Sequence, residues 1–178
     1  SGIDEPTSGR VMVDEKSLFS VSDNERSRIR AQYLGFIFQD FNLLPVLSAV
    51  ENVELPLLLL GKSATEARTT ALEALKSVGL GERSEHRPSE LSGGQQQRVA
   101  IARAIVHSPT VILCDEPTGN LDSATSRSVM KLLKTINEKI GTTFLLVTHD
   151  GGVAKQCSRV LRMEDGIIVS DERGQEEE

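Results

Sequence analysis

The chain has 178 residues, a length that fits one domain or one lobe of a larger one. Hydrophobic residues make up 38% and charged residues 26%, enough apolar matter for a core and too much for wholesale disorder. With 26 acidic against 20 basic side chains the formal net charge is −6, so no nucleic-acid partner held by phosphate neutralisation is expected. A small anion bound through backbone groups stays compatible with that charge, because local dipoles do not depend on it. The apolar run around Leu57–Leu60 is a fraction of the ~20 residues that a membrane-spanning helix requires. Cys114 and Cys157 fit neither a disulfide framework nor a zinc site, and both read as reduced thiols of a cytosolic protein.

In chain order, the opening Ser1-Gly2-Ile3-Asp4 lacks an initiator Met and reads as the continuation of something upstream. The turn-rich Glu5–Gly9 leads into a short strand, Arg10–Val13, and Asp23–Ala31 predicts a short solvent-facing helix. Leu34–Phe38 reads as a buried strand ending at Gln39-Asp40. Residues 45–89 are helical and carry no strand pattern, so they are expected to form an inserted helical subdomain. Within it Ser63–Gly79 is the clearest helix: Ser63-x-x-Glu66 is a capping box, Ala67, Ala71, Leu75 and Val78 form a stripe, and Gly79 suits the end. A further helix is expected from Ser92 to His107, stopped before Pro109. Val111–Cys114 is an apolar run typical of buried parallel strands. Helix Ala124–Lys139 follows, with Val129, Leu132, Leu133, Ile136 and Ile140 on one face and Gly141 as terminator. Thr143–Thr148 is the next strand, and Arg159–Met163 with Ile167–Ser170 predicts a hairpin about Asp165-Gly166. The tail from Asp171 to Glu178 reads as a solvated terminus.

Strand, helix, strand from Val111 to Thr148 is a βαβ unit, so the domain is α/β, with parallel strands and a right-handed crossover. Both strands then deliver their carboxyl ends to one sheet edge, where ligands bind in open α/β sheets. Asp115-Glu116 and His149 stand at those two ends.

A hydrophobic strand that delivers two carboxylates to a sheet edge suits metal–nucleotide chemistry. The first carboxylate, Asp115, can hold Mg²⁺ directly or through water, and the second, Glu116, can orient or deprotonate an attacking water. The same residues also read as a buried strand ending in a solvated Asp-Glu-Pro turn. Leu91-Ser92-Gly93-Gly94-Gln95-Gln96-Gln97-Arg98 is more specific. Two glycines allow close backbone approach at a helix start, where free N–H groups favour phosphate, and Ser92 adds a hydroxyl. A capping box alone, Ser92-x-x-Gln95, does not call for Gly-Gly followed by three glutamines and an arginine.

In these residues the chain resembles the ATP-binding subunit of an ABC transporter. Leu91–Arg98 resembles the family signature, Val111–Pro117 the Walker B strand, and Gly119-Asn120-Leu121-Asp122 the D-loop. Thr148-His149-Asp150 resembles the switch-histidine region and Phe36-Ile37-Phe38-Gln39 the Q-loop. All stand in the family order across nearly the whole chain. Phe38–Pro45, Glu51-Asn52-Val53 and Asp115–Asp122 are most similar to the lipoprotein-releasing, macrolide-export and cell-division subgroup.

The resemblance implies a RecA-like parallel-sheet lobe, residues 1–44 and 90–178, with residues 45–89 as the helical subdomain leading into the signature. It implies Glu116 as general base or water-orienting residue and Asp115 as support for Mg²⁺ through its water shell. Gln39 would contact Mg²⁺ and sense the transmembrane partner, and His149 would contact the γ-phosphate. Asp122 would communicate across a dimer, and Ser92, Gly93 and Gly94 would bind the γ-phosphate of ATP held by the other subunit. The partners implied are an integral-membrane permease and a second nucleotide-binding subunit, with the chain at the inner face of the cell membrane.

One family element has no counterpart in these 178 residues, the phosphate-binding loop G-x-x-x-x-G-K-[ST]. Pro56–Ser63 has its spacing, but four leucines cannot wrap a phosphate, and Ser63 is explained as a helix cap. The expectation is therefore an N-terminally truncated lobe, inactive alone. A chromosome-maintenance ATPase is rejected because no long heptad arms separate Gln39 from the signature. A non-catalytic regulatory module of the same fold is the alternative reading, disfavoured by the intact Glu116, His149 and signature.

Overall fold

A computed structural model describes residues 2–173. The chain divides into two compact units, Ser1–Leu146 and Val147–Glu178. In the first, β1 (Met12–Val13) and β2 (Lys16–Ser17) form a small antiparallel hairpin, narrower than the strand expected from Arg10. α1 (Asp23–Tyr33) follows, capped by Ser22, whose hydroxyl accepts from the Glu25 N–H. It is not wholly solvent-facing, since Ile29 is buried.

β3 (Leu34–Phe38) is the apolar strand expected from its sequence, and it pairs in parallel with β4 (Val111–Asp115). β5 (Thr143–Val147) lies on the far side of β4, giving the order β3-β4-β5. Ile37, Ile112 and Cys114 are fully or almost fully buried, at the centre of the core. Parallel strands covered by helices need apolar residues along their length, which explains the near-continuous runs in β3 and β4.

Between β3 and β4 stand α2 (Ala49–Leu59), α3 (Ala64–Ser77) and α4 (Gly93–Ile105), with two short 3₁₀ turns, Gly81–Arg83 and Pro88–Glu90. Residues 45–89 contain no strand. Ser48 and Ser63 close capping boxes with Glu51 and Glu66. Ala67, Ala71, Leu75 and Val78 are all buried, as their spacing predicts. α4 packs against α2, α3 and β3. It is buried along Gln97, Val99, Ala100, Ile101, Ala102 and Ala104, so it forms the spine that joins the helices to the sheet.

α5 (Ser123–Ile140) ends at Gly141 in the left-handed region, φ +68°, the expected terminator. Its buried face is Val129, Met130, Leu133 and Ile136; Leu132 is half-buried and Ile140 is half exposed, so the stripe is rotated from the expected one. Met130, which is not on the expected face, is buried, while Leu132 is only half-buried.

The second unit holds α6 (Gly151–Ala154) and the antiparallel pair β6 (Arg159–Glu164) and β7 (Ile167–Arg173). The hairpin turns at Asp165-Gly166 as expected but is longer, and Asp171–Arg173 belong to β7 rather than to a solvated tail. The Arg159 guanidinium donates to both Asp171 carboxylate oxygens, at 2.8 and 2.7 Å, which extends the pairing. The remainder of the tail, Gly174–Glu178, lies outside the described residues.

Candidate active site

The register of the parallel pair sets Phe38 beside Asp115, so the two chains leave the sheet together. Gln39 and Asp115 are exposed at that edge, and Glu116 is half-buried next to them. Glu116 sits in the left-handed region, φ +45°, a conformation costing a non-glycine residue about 1–3 kcal/mol. Pro117 explains why residue 116 avoids the right-handed helical region. The Gly119 N–H donates to the Glu116 carbonyl at 3.0 Å and closes the turn. The backbone strain is thus kept at the residue that the sequence singles out for proton chemistry.

Gln39 is held by the D-loop. Its Nε2 donates to Asn120 Oδ1 at 3.1 Å, and Asn120 Nδ2 donates to the Gln39 carbonyl at 3.2 Å and to Asp40 Oδ1 at 2.7 Å. Beyond Asp40, Phe41 and Asn42 are both left-handed, φ +61° and +47°. Arg103 of α4 donates to their carbonyls at 2.8 and 2.5 Å, fixing the turn to the signature helix. Burial draws the Arg103 pKa down from the ordinary guanidinium value.

Ser92 is the N-cap of α4: its hydroxyl accepts from the Gln95 N–H at 3.3 Å, and Gln95 Oε1 accepts from the Ser92 N–H at 2.9 Å. The capping box is therefore present at the signature. A Cβ on Gly94 would lie 2.5 Å from Thr125 Cγ2, so the second glycine lets α4 and α5 approach. Gly93 faces Leu121 and Phe41 at ordinary contact distances. Gln97 is fully buried and donates to the Pro117 carbonyl, tying the signature helix to the turn that carries Glu116. Arg98 donates to the Val78 carbonyl at 2.7 Å and to Ser128 Oγ at 2.9 Å, joining α3 to α5.

Asp122 caps α5 by accepting from the Ala124 and Thr125 N–H groups at 2.9 and 3.0 Å and from the Thr125 hydroxyl at 2.5 Å. The Thr125 hydroxyl, followed by its N–H, holds the Asp122 carboxyl below the usual aspartate range. In this structure the D-loop carboxylate thus has a local partner. His149 belongs to the second unit, is exposed, and precedes Asp150, the N-cap of α6.

Sequence reasoning gave no role to Asn120, Gln97 or Arg103. For Gln97 a signal existed: it shares the i, i+3, i+4, i+7 face with Ala100, Ile101 and Ala104, which marks burial. Asn120 and Arg103 gain their partners across 81 and about 61 residues, which no local pattern reveals.

The Pro56–Ser63 segment is structural. Residues 56–59 are helical, Ser63 caps α3, and Lys62 Nζ stands 4.0 Å from a Glu66 carboxylate oxygen. A phosphate there would meet a helix side rather than open N–H groups, with an acid beside the lysine. An open hollow nearby, lined by Lys62, Glu66, Thr69 and His107, contains none of the sheet-edge groups.

No group of three or more His, Cys, Asp or Glu is gathered to hold a metal among the described residues. Mg²⁺ needs no such cluster, since it keeps several waters and takes one or two protein oxygens plus phosphate. The donors at this edge, the Asp115 carboxylate and the Gln39 amide, are oxygen-bearing and fit that demand.

Comparison with known proteins decides the kinship. Residues 1–119 match the ABC transporter family. The chain belongs to that family. Its fold is also that of two solved dimeric structures of the ATP-binding cassette MJ0796, one in a post-hydrolysis state with ADP and Pi, the other of a bacterial ABC transporter cassette. Identity is 45% and 46%, the TM-score is 0.84 for both, and each match covers 97% of this chain and 76% of the other. The chain is thus an ABC-type ATPase cassette of RecA-like α/β fold, the ATP-binding subunit of an ABC transporter. No described helix is long and apolar enough to cross a membrane.

Proposed function

We propose that the cassette hydrolyses ATP at the carboxyl edge of β3 and β4 and powers an exporter of the lipoprotein-releasing or macrolide and peptide type. The observation that carries the reading is Glu116, half-buried and left-handed directly after the exposed Asp115, at the strand end that pairs with the one leading into Gln39. Such strain persists where the surroundings over-determine it, a feature of reactive sites. The exporter type rests on the wording of Phe38–Pro45 and Asp115–Asp122.

In this mechanism the Glu116 carboxylate takes the proton of the attacking water or fixes its orientation. Asp115 and Gln39 would hold Mg²⁺, which supplies neutralisation of charge on the phosphates. His149 would contact the γ-phosphate, a role carried over from the switch-histidine motif it matches. Ser92, Gly93 and Gly94 complete the site of a second cassette in a homodimer, offering the hydroxyl and the first-turn N–H groups of α4. Asp122 serves that contact from its place at the start of α5. The integral-membrane permease is the partner at the Gln39–Pro45 turn, and the cassette lies on the cytoplasmic face. Residues 45–89 act as the helical subdomain and 1–44 with 90–178 as the catalytic lobe.

No phosphate-binding loop G-x-x-x-x-G-K-[ST] occurs in these 178 residues. These 178 residues alone are accordingly inactive, because the loop contributes the backbone cradle and lysine for the β- and γ-phosphates.

The test is Glu116→Gln in the full-length protein. The amide keeps size and hydrogen bonding but cannot accept a proton, so turnover falls by far more than tenfold while ATP binding and nucleotide-dependent dimerisation remain. Turnover within tenfold of the unmodified protein refutes Glu116 as the base. His149→Ala is expected to lower turnover without changing the unfolding midpoint.

A further inference from the structure

The bracket between Gln39 and Asn120 has a direction. Asn120 Nδ2 donates to two groups that can only accept, the Gln39 carbonyl and the Asp40 carboxylate, at 3.2 and 2.7 Å. That fixes which end of the Asn120 amide faces them and turns Oδ1 toward the Gln39 side chain. Oδ1 can itself only accept, so it selects the nitrogen end of the Gln39 amide, at 3.1 Å. Oε1 of Gln39 is left as the end facing away from Asn120. The two ends of a glutamine amide are almost equal in size, so hydrogen bonding rather than shape decides which is presented.

Gly119 makes room for this pose. A Cβ there would lie 2.9 Å from Gln39 Nε2, 3.0 Å from Cδ and 3.2 Å from Cγ. Gly119 and Asn120 thus act on the same side chain, one by leaving space and one by setting polarity.

We propose that Asn120, itself oriented by Asp40, is a positioning residue that presents the oxygen rather than the nitrogen of the Gln39 amide to a hard divalent cation. The inference rests on the reading of Gln39 as an Mg²⁺ contact. A cation such as Mg²⁺ binds oxygen and is repelled by N–H donors, so an amide free to flip is a poorer ligand. Groups behind a ligand commonly set its orientation in this way.

The test uses the full-length protein with its permease and magnesium chloride at fixed ATP. Asn120→Ala is expected to raise the Mg²⁺ concentration for half-maximal turnover about three- to tenfold, with turnover at saturating Mg²⁺ nearly kept. Asn120→Asp sets a carboxylate against Asp40 and is expected to do at least as much. Adding Asp40→Asn to Asn120→Asp restores a donor–acceptor pair between positions 40 and 120, and an oxygen at position 120 still accepts from Gln39 Nε2, although the Gln39 carbonyl then faces a carboxylate oxygen. That double variant is expected to recover about half or more of the loss caused by Asn120→Asp, read in the Mg²⁺ dependence rather than in the unfolding midpoint. Independently of activity, the Gln39 side-chain amide signal in nuclear magnetic resonance should shift on Asn120→Ala and return in the double variant. Unchanged Mg²⁺ dependence and an unchanged Gln39 signal in Asn120→Ala overturn the proposal, as does failure of the double variant to recover. If Gln39→Ala leaves Mg²⁺ dependence unaltered, the reading of Gln39 fails and the proposal with it. If Gln39→Ala shifts it and Asn120→Ala does not, the proposal alone fails.

Discussion

Replacing Gly94 with alanine separates two reasons for a glycine in the signature. The new Cβ would stand 2.5 Å from Thr125 Cγ2, about 1 Å inside the ~3.5–4.0 Å of normal carbon contact. Thr125 cannot swing away cheaply: its hydroxyl donates to Asp122 and its branched side chain is stiff in a helix. Relief must come from α4 and α5 moving apart, an overpacking cost of about 1–3 kcal/mol. Alanine regains up to about 1 kcal/mol of helix preference over glycine. The net expectation is a loss of about 1–2 kcal/mol, read as a lower midpoint in urea unfolding of the full-length protein. Thr125→Ser removes the clashing methyl and keeps the hydroxyl, so in that background Gly94→Ala should cost nothing or stabilise. Coupling of at least about 1 kcal/mol between the two sites is therefore expected. A neutral Gly94→Ala, or equal costs in both backgrounds, refutes packing as the reason for the glycine. Should stability recover in the double variant while ATP-dependent dimerisation does not, close ligand approach is the second reason.

Asp122 gives a pH prediction. Its folded-state pKa lies below the unfolded value of about 3.9, so its contribution is fully present above that value and is lost as pH falls through the folded one. Asp122→Asn keeps an acceptor at the cap but does not titrate, so it should flatten the acid limb of stability below about pH 4; an unchanged limb refutes the cap as its source. Leu75 is fully buried on α3, and Leu75→Ala should cost about 2–5 kcal/mol in chemical denaturation, whereas a loss under 1 kcal/mol means the site collapses or repacks. Titration calorimetry of the 178-residue chain with Mg-ATP should detect no tight binding, and micromolar affinity with phosphate release means another segment replaces the loop. Deleting Gly174–Glu178 from the full-length protein should leave turnover unchanged, because none of the residues assigned to the chemistry lies in that segment; a large loss refutes this.

What the amino-acid order determined by itself is local. Ser63-x-x-Glu66 and Ser92-x-x-Gln95 bond side chain to backbone within one turn, so the caps of α3 and α4 were readable from spacing. Leu34–Phe38 and Val111–Cys114 were readable as strands because a doubly covered strand needs unbroken apolar sequence; the second strand itself runs one residue further, to Asp115. Glu116 could be placed at a sheet edge from the strand that ends beside it. The Asp122 cap is equally local, since its carboxylate accepts from the N–H groups of Ala124 and Thr125 two and three residues on. Other features belonged to the tertiary structure alone. Which way α5 turns its apolar face, and so whether Leu132 or Met130 is buried, depends on the wall it meets. The need for glycine at position 94 exists only because Thr125 arrives there from another helix. Gln39, Asp40 and Asn120 acquire their hydrogen bonds because parallel pairing brings two strand ends together across 81 residues. Periodicity reports one element's own geometry; the orientation of a side-chain amide depends on donors and acceptors that only the assembled fold supplies.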